Sequence, residues 1–176
     1  PDADATPEAI RQALCESVYW QMDNDRKTTG LKALQGQIWV DGYQSGALKG
    51  HLFADVLPAM KRFKAMGKEL YIYSRGSVAA QKLLFGHSME GDLTPMLSGY
   101  FDTTTGPKKE KGSYVAIGTR MGVPVERVLF LTDNLDEAVA ADEAGCRVAV
   151  SVRPGNHPLD DNDFEQITSF ATLFER

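Results

Sequence analysis

Three polar side chains stand where the chain leaves, or loops between, its apolar runs. Ser74 follows the apolar, aromatic run Leu70–Tyr73, and Asp133 follows Thr132 after the run V-L-F-L at Val128–Leu131. Lys108 ends the polar loop that begins at Thr103. A hydroxyl, an ammonium and a carboxylate converging on one rim make a site for a phosphate and a divalent cation. Ser74 would donate to a phosphate oxygen, and Lys108 would neutralise phosphate charge as a compact cation. Asp133 would hold Mg²⁺, which takes one or two carboxylates and several waters. Arg75 and Gly76 turn the chain from Ser74 into a helical composition at Val78, with Ser77 a good N-cap. The free amides of such a turn and of the first helical turn bind anions. Glu137 lies four positions after Asp133, spaced to stand behind it and orient Lys108 or the metal's waters.

Each residue also suits a plainer role. The 74–77 stretch suits an ordinary capped turn, and Lys108 and Lys109 suit solvated loop charges. Asp133 suits a helix N-cap. Asp136 and Glu137 suit the first turn of any helix. The ordered set of Ser74, Lys108 and Asp133 carries the functional reading. His51, His87 and His157 show no metal-ligand spacing and read as structural or surface groups.

The elements that must position these residues alternate. Thr6 caps a helix that starts at Pro7 and runs to about Asp25, with Ile10, Ala13, Leu14, Val18 and Met22 on one face. A second helix spans Thr28–Gly42 and is ended by Gly42 and Gly46. The polar stretch Pro1–Thr6 reads as a frayed end. No strand signal precedes residue 68. Residues 1–48 therefore read as a small helical unit, with Trp20, Trp39 and Tyr43 as its core in preference to the lining of a ligand pocket. Residues 49–176 read as an α/β core. Asp55 caps a helix at Val56–Met66, followed by the 70–73 strand and a helix over 78–86. A short helical piece at Leu93–Leu97 and an extended segment at Tyr100–Asp102 come next. A helix over Lys111–Met121, the 128–131 strand, a helix over Leu135–Ala144, a strand over Val148–Val150 and a last helix over Phe164–Phe174 complete the order. Helices alternating with continuous apolar strands indicate a parallel sheet covered on both faces. Ligands in such folds bind at the carboxyl ends of the strands.

At 176 residues and 43% apolar, the chain suits one domain or a domain with a small appendage. A net charge of −5 and no basic stripe argue against a nucleic-acid partner. No apolar run approaches the ~18 residues of a membrane span. Cys15 and Cys146 lack C-x-x-C spacing and read as reduced thiols of a cytosolic protein. No signal peptide is visible, and the start at Pro1 reads as a processed or truncated product.

Longer stretches are more specific: L-K-A-L-Q-G-Q-I-W from Leu31, Y-I-Y-S-R-G-S-V-A-A-Q-K-L-L-F-G-H-S from Tyr71, G-Y-F-D-T-T-T-G-P-K from Gly99, L-F-L-T-D-N from Leu129 and V-R-P-G-N from Val152. In these the chain resembles the haloacid dehalogenase (HAD) superfamily, and within it the enolase-phosphatases (acireductone synthases) of methionine salvage. The resemblance implies a HAD-like Rossmannoid parallel sheet with an α-helical cap. It implies a cytoplasmic, monomeric, Mg²⁺-dependent enzyme acting on a small phosphate ester, 2,3-diketo-5-methylthiopentyl 1-phosphate, which it enolises and dephosphorylates to an acireductone. Ser74 matches the second motif's hydroxyl, Lys108 the third motif's lysine, Asp133 the fourth motif's metal-binding acid and Glu137 its following acid. The substrate-binding set becomes Ser74, Arg75, Gly76 and Lys108.

Two departures stand out. Arg75 replaces the family's usual Ser, and the first motif, D-x-E-G-T in this family, does not occur in the sequence. Its leading Asp is the nucleophile that forms the aspartyl-phosphate. The resemblance thus begins inside the cap, and the first, central strand is expected to be missing between the strands that end at Ser74 and Asp133. Two functions follow: part of an enolase-phosphatase, or a truncated, non-catalytic phosphate-binding or regulatory remnant. Direct hydrogen bonds between the 70–73 and 128–131 strands would favour the remnant. A receiver-type signalling domain, with Asp133 as phosphoacceptor, explains neither the helical unit nor the glycine turn.

Overall fold

Residues 5–26 and 28–174 are described by a computed structural model; the first four residues of the polar N-terminal end lie outside them. The described residues through Leu48 form one unit, and Lys49 onward forms another.

The first unit is two helices, α1 (Pro7–Asp23) and α2 (Thr29–Gln44). Both start on a threonine cap. Thr6 Oγ1 accepts the Ala9 N–H at 3.2 Å and Thr28 Oγ1 the Leu31 N–H at 3.3 Å. Gly42 does not end α2 as expected. The helix runs on to Gln44, and a Cβ at Gly42 would sit 2.5 Å from Leu48 Cδ1. The expected aromatic core is also corrected. Trp20 and Trp39 are 55% and 46% exposed, and Leu31 is the buried hydrophobic residue of the pair. Neither helix is covered widely enough to bury its aromatic side chains, whatever their spacing.

The second unit runs α3 (Val56–Ala65), β1 (Tyr71–Tyr73), α4 (Val78–Gly86), β2 (Gly99–Phe101), α5 (Lys111–Met121), β3 (Leu129–Thr132), α6 (Leu135–Ala144), β4 (Arg147–Ser151) and β5 (Gln166–Ile167). Every strand pair is parallel: β1 with β2, β3 with β4, and β4 with β5. They form two sheets, and no hydrogen bond joins β1 to β3 among the described residues. The hydrogen bonds that would have favoured the remnant are thus not found.

Side chains tie the two sheets instead. Tyr114 of α5, 2% exposed, sets its ring edge-on to Tyr73 of β1 at 5.8 Å and to Phe130 of β3 at 4.9 Å. Around it pack Ala140 and Ala141 of α6, Cys146, Val128 and Val148. The alanines are 3% and 0% exposed, and their small side chains let α6 lie close on β3 and β4. Left-handed Gly122 and Gly145, at φ 69° and 98°, end α5 and α6 and return the chain to the sheet.

The last predicted helix is corrected. Residues 166–167 extend the sheet beside β4, where Val150 N donates to Glu165 O and Val152 N to Ile167 O. Phe170–Phe174 is a 3₁₀ segment. Asp55 explains the stop. It makes no side-chain cap on α3 and instead takes hydrogen bonds from the Ser169 hydroxyl at 2.9 Å and the Phe170 N–H at 2.7 Å. It also pairs with Arg153 at 2.6 Å, and the two side chains are 21% and 10% exposed.

Burial alone would raise the Asp55 pKa. The Arg153 guanidinium, the Phe170 amide and the Ser169 hydroxyl outweigh it and hold the carboxyl at about 2. The folded value lies below the ordinary one, so the carboxylate's contribution is complete above about pH 4 and fades as pH falls towards 2. Asp55→Asn should therefore lower stability at pH 7 by roughly 2 kcal/mol and flatten the loss between pH 4 and 2. Urea unfolding at several pH values checks this; parallel acid profiles for the two proteins would contradict it.

Candidate active site

The site is built around one loop. Three hydroxyls hold three consecutive carbonyls of Gly106–Lys108: Tyr73 donates to Gly106 O at 2.8 Å, Ser113 to Pro107 O at 2.6 Å and Tyr114 to Lys108 O at 2.6 Å. Gly106 is required. Its φ is 150°, and a Cβ there would meet Ser113 Oγ at 2.2 Å. Burial raises the pKa of both Tyr73 and Tyr114, and the nearby Glu137 charge adds to the rise, so both remain neutral donors.

The Lys108 side chain is fixed too. Its ammonium pairs with Glu137 at 2.5 Å and lies 5.6 Å from the Tyr73 ring and 5.8 Å from the Phe130 ring. Those rings belong to β1 and β3, so Lys108 stands between the two strands, beside the end of β1 that Ser74 follows. Thr132, 6% exposed, donates to the same Glu137 oxygen at 2.8 Å. Lys108 is not the solvated loop charge that its plainer reading expects. Lys108 is 15% exposed at its side chain. Lys109 is the solvated one: it pairs with Asp136 where both side chains are at least 60% exposed.

Asp133 is not the N-cap of α6. Asn134 holds that position, and its Oδ1 accepts the Glu137 N–H at 3.2 Å. The Asp133 carboxylate is exposed and has no ion pair among the described residues. It takes one hydrogen bond, from Asn156 Nδ2 at 2.8 Å. It borders a cavity of about 260 Å³ walled by Phe53, Val56, Phe170, Arg153 and Asn156. One strand-end carboxylate beside no cluster of three ligating side chains among the described residues fits a hard cation that keeps its own waters.

Ser74 is half-buried, and its oxygen accepts the Gly76 N–H at 3.2 Å, which leaves its proton to donate. Arg75 is exposed. Helix α4 opens on Ser77, whose Oγ accepts the Ala80 N–H at 3.2 Å. The structure thus brings Lys108 and Glu137 into contact between β1 and β3. It sets Ser74 and Asp133 at the ends of those strands, and the cavity reaches only Asp133.

Several supports escaped the sequence reading. Asp102 accepts from the Val78 N–H at 3.2 Å, so part of the α4 amide set is already filled by a carboxylate. Gln81, 5% exposed, donates to both Gly76 O and Phe101 O at 2.9 Å and straps the Ser74 turn to β2. The D-T-T sequence after Phe101 was the available signal.

These features are those of a HAD-type phosphatase core. A HAD family hydrolase from Deinococcus radiodurans with bound phosphate and sodium shares the fold at TM-score 0.59 and 16% identity, over 98% of this chain and 75% of that one. The UTR4 protein of Saccharomyces cerevisiae superposes at TM-score 0.85 with 35% identity, over 98% of this chain and 83% of that one. No protein-family model matches the chain. Enolase-phosphatase E1 of Xenopus tropicalis is 52% identical over 174 residues, 97% of this chain and 67% of that protein. The chain belongs to the enolase-phosphatase E1 family of HAD phosphatases. It spans 67% of the length of the frog relative and 66% of that of the Synechococcus elongatus one.

The Lys108–Glu137 pair predicts a contrast. Glu137→Gln leaves a nearly dry ammonium without its counter-ion and should cost about 3 kcal/mol. Asp136→Asn breaks only the solvated pair with Lys109 and should cost less than about 1 kcal/mol. Equal losses in chemical denaturation would show that Lys108 is not held as described.

Proposed function

We propose that the full-length protein is a Mg²⁺-dependent enolase-phosphatase of methionine salvage. It converts 2,3-diketo-5-methylthiopentyl 1-phosphate to an acireductone and inorganic phosphate. The observation that carries this is the fixed ammonium between β1 and β3, in a chain about half identical to proteins of that name. In this reading Ser74 donates to a phosphate oxygen, with Arg75 and Gly76 lining the same turn. Lys108 neutralises the phosphoryl charge, and Glu137 holds Lys108 in place. Asp133 holds the cation, which when bound offsets negative charge on the phosphoryl oxygens.

The family's D-x-E-G-T signature does not occur in this sequence. The step through its aspartate is therefore assigned to the part of the relatives' length that this chain does not span. The α1–α2 unit is assigned to the helical cap. We further propose a cytoplasmic monomer whose partner is a small phosphate ester rather than nucleic acid or membrane. No helix among the described residues is long and apolar enough to cross a membrane.

In the full-length enzyme, Lys108→Ala should reduce phosphate release by about 10²–10³, the usual loss for one preorganised electrostatic contact. Asp133→Asn should lower the rate and also raise the Mg²⁺ concentration needed for half-maximal release. Phosphate release measured across a Mg²⁺ series checks both. Near-normal turnover in both variants would overturn the site.

A further inference from the structure

The V-R-P-G-N stretch has no role in the site as built so far, yet its last residue touches the site's carboxylate. We propose that Asn156 is a positioning residue for Asp133: its side-chain amide fixes one carboxylate oxygen and leaves the other to a divalent cation. This rests on Asp133 being the cation's ligand.

The amide's orientation follows from the backbone. Asn156 Oδ1 receives the Arg153 N–H at 2.7 Å, and only the oxygen of an amide can accept that bond. The other amide atom is therefore the nitrogen, and it points at Asp133 Oδ2 at 2.8 Å. A carboxylate only accepts, so the contact has one sense. Asp133 Oδ1 carries no hydrogen bond among the described residues.

The turn that presents Asn156 is stiff. Pro154 and Gly155 occupy its two central positions, Gly155 has φ 90°, and Asn156 N donates back to Arg153 O at 3.1 Å. Proline first and a left-handed glycine second are the residues of a type II turn. The turn's first residue is anchored as well. The Arg153 guanidinium lies 4.9 Å from the Phe53 ring and 5.0 Å from the Phe170 ring, and it pairs with Asp55. The chain of contacts runs from Asp55 through Arg153 and the turn to Asp133. An exposed Asp side chain otherwise samples several rotamers; this one is held from the side of β4. Such outer supports of metal ligands are typically worth 10–100-fold in metal affinity.

The test uses Mn²⁺ alone, titrated into the full-length protein and followed by the EPR signal of the free ion. Asn156→Ala removes the donor. Asn156→Ser also removes the amide donor but leaves a hydroxyl in the turn, and it serves as the second variant if the alanine variant folds poorly. Both should weaken Mn²⁺ binding by about 10–100-fold, and added Mg²⁺ should restore most of their phosphate release. The serine variant's melting temperature should stay within about 4 °C of wild type. Unchanged Mn²⁺ affinity in a folded variant, with or without a lower melting temperature, overturns the role. Asp133→Asn separates the two levels. If it binds Mn²⁺ like wild type, the assignment of Asp133 itself fails; if it does not, and the Asn156 variants do, only the positioning role fails.

Discussion

A carboxylate drawn out of water needs partners, and Glu137 has two. Lys108 and Thr132 meet at its Oε2, and its own backbone N–H is taken by Asn134. This arrangement joins three elements: the loop before α5, the end of β3 and the first turn of α6. Fixing Lys108 requires its backbone to be held as firmly as its side chain. The hydroxyls of Tyr73, Ser113 and Tyr114 do that from β1 and α5. The same Tyr114 ring bridges Tyr73 and Phe130. Packing between the sheets and placement of the ammonium thus use one residue. A hydrophobic replacement of matching volume would keep the packing and release the loop.

Within the described residues of this chain β1 and β3 share no ladder hydrogen bonds, so side chains alone span the distance between them. In one continuous parallel sheet, ladder hydrogen bonds would set the spacing of the strands that carry Ser74 and Asp133. Here β1 and β3 belong to different sheets, and Tyr114, with Lys108 lying against the Tyr73 and Phe130 rings, relates them. The α6 alanines matter for the same reason. A larger residue at Ala138 or Ala141, both 0% exposed, would push the helix that carries Glu137 off β3.

Much of this was legible in the sequence because it rests on local rules. Caps at Thr6 and Ser77, glycine stops at Gly122 and Gly145, and short apolar strands ending in polar residues each follow from a few neighbouring positions. The spacing of Asp133 and Glu137 placed Glu137 within reach of Lys108. What the sequence hid depends on partners distant along the chain. Asp55 looked like a cap because caps are local, but its hydrogen bonds come from residues 153–170. The 164–174 segment looked helical until its backbone found β4. Trp20 and Trp39 sit at core-like spacing, yet spacing says which face a residue shares, not what covers that face. Asp133 suits the α6 cap by type, yet the helix starts one residue later and Asn134 takes that place.

In the proposed function the ends of β1 and β3, with Lys108 between them, form one phosphate and cation site. A crystal structure of the full-length protein with Mg²⁺ and orthovanadate, a phosphoryl-transfer mimic, tests it most directly. Vanadate oxygens should lie within hydrogen-bond reach of Ser74 Oγ and Lys108 Nζ, with Mg²⁺ on the Asp133 oxygen that Asn156 does not hold. Vanadate bound away from Lys108, or Mg²⁺ held without Asp133, would contradict it.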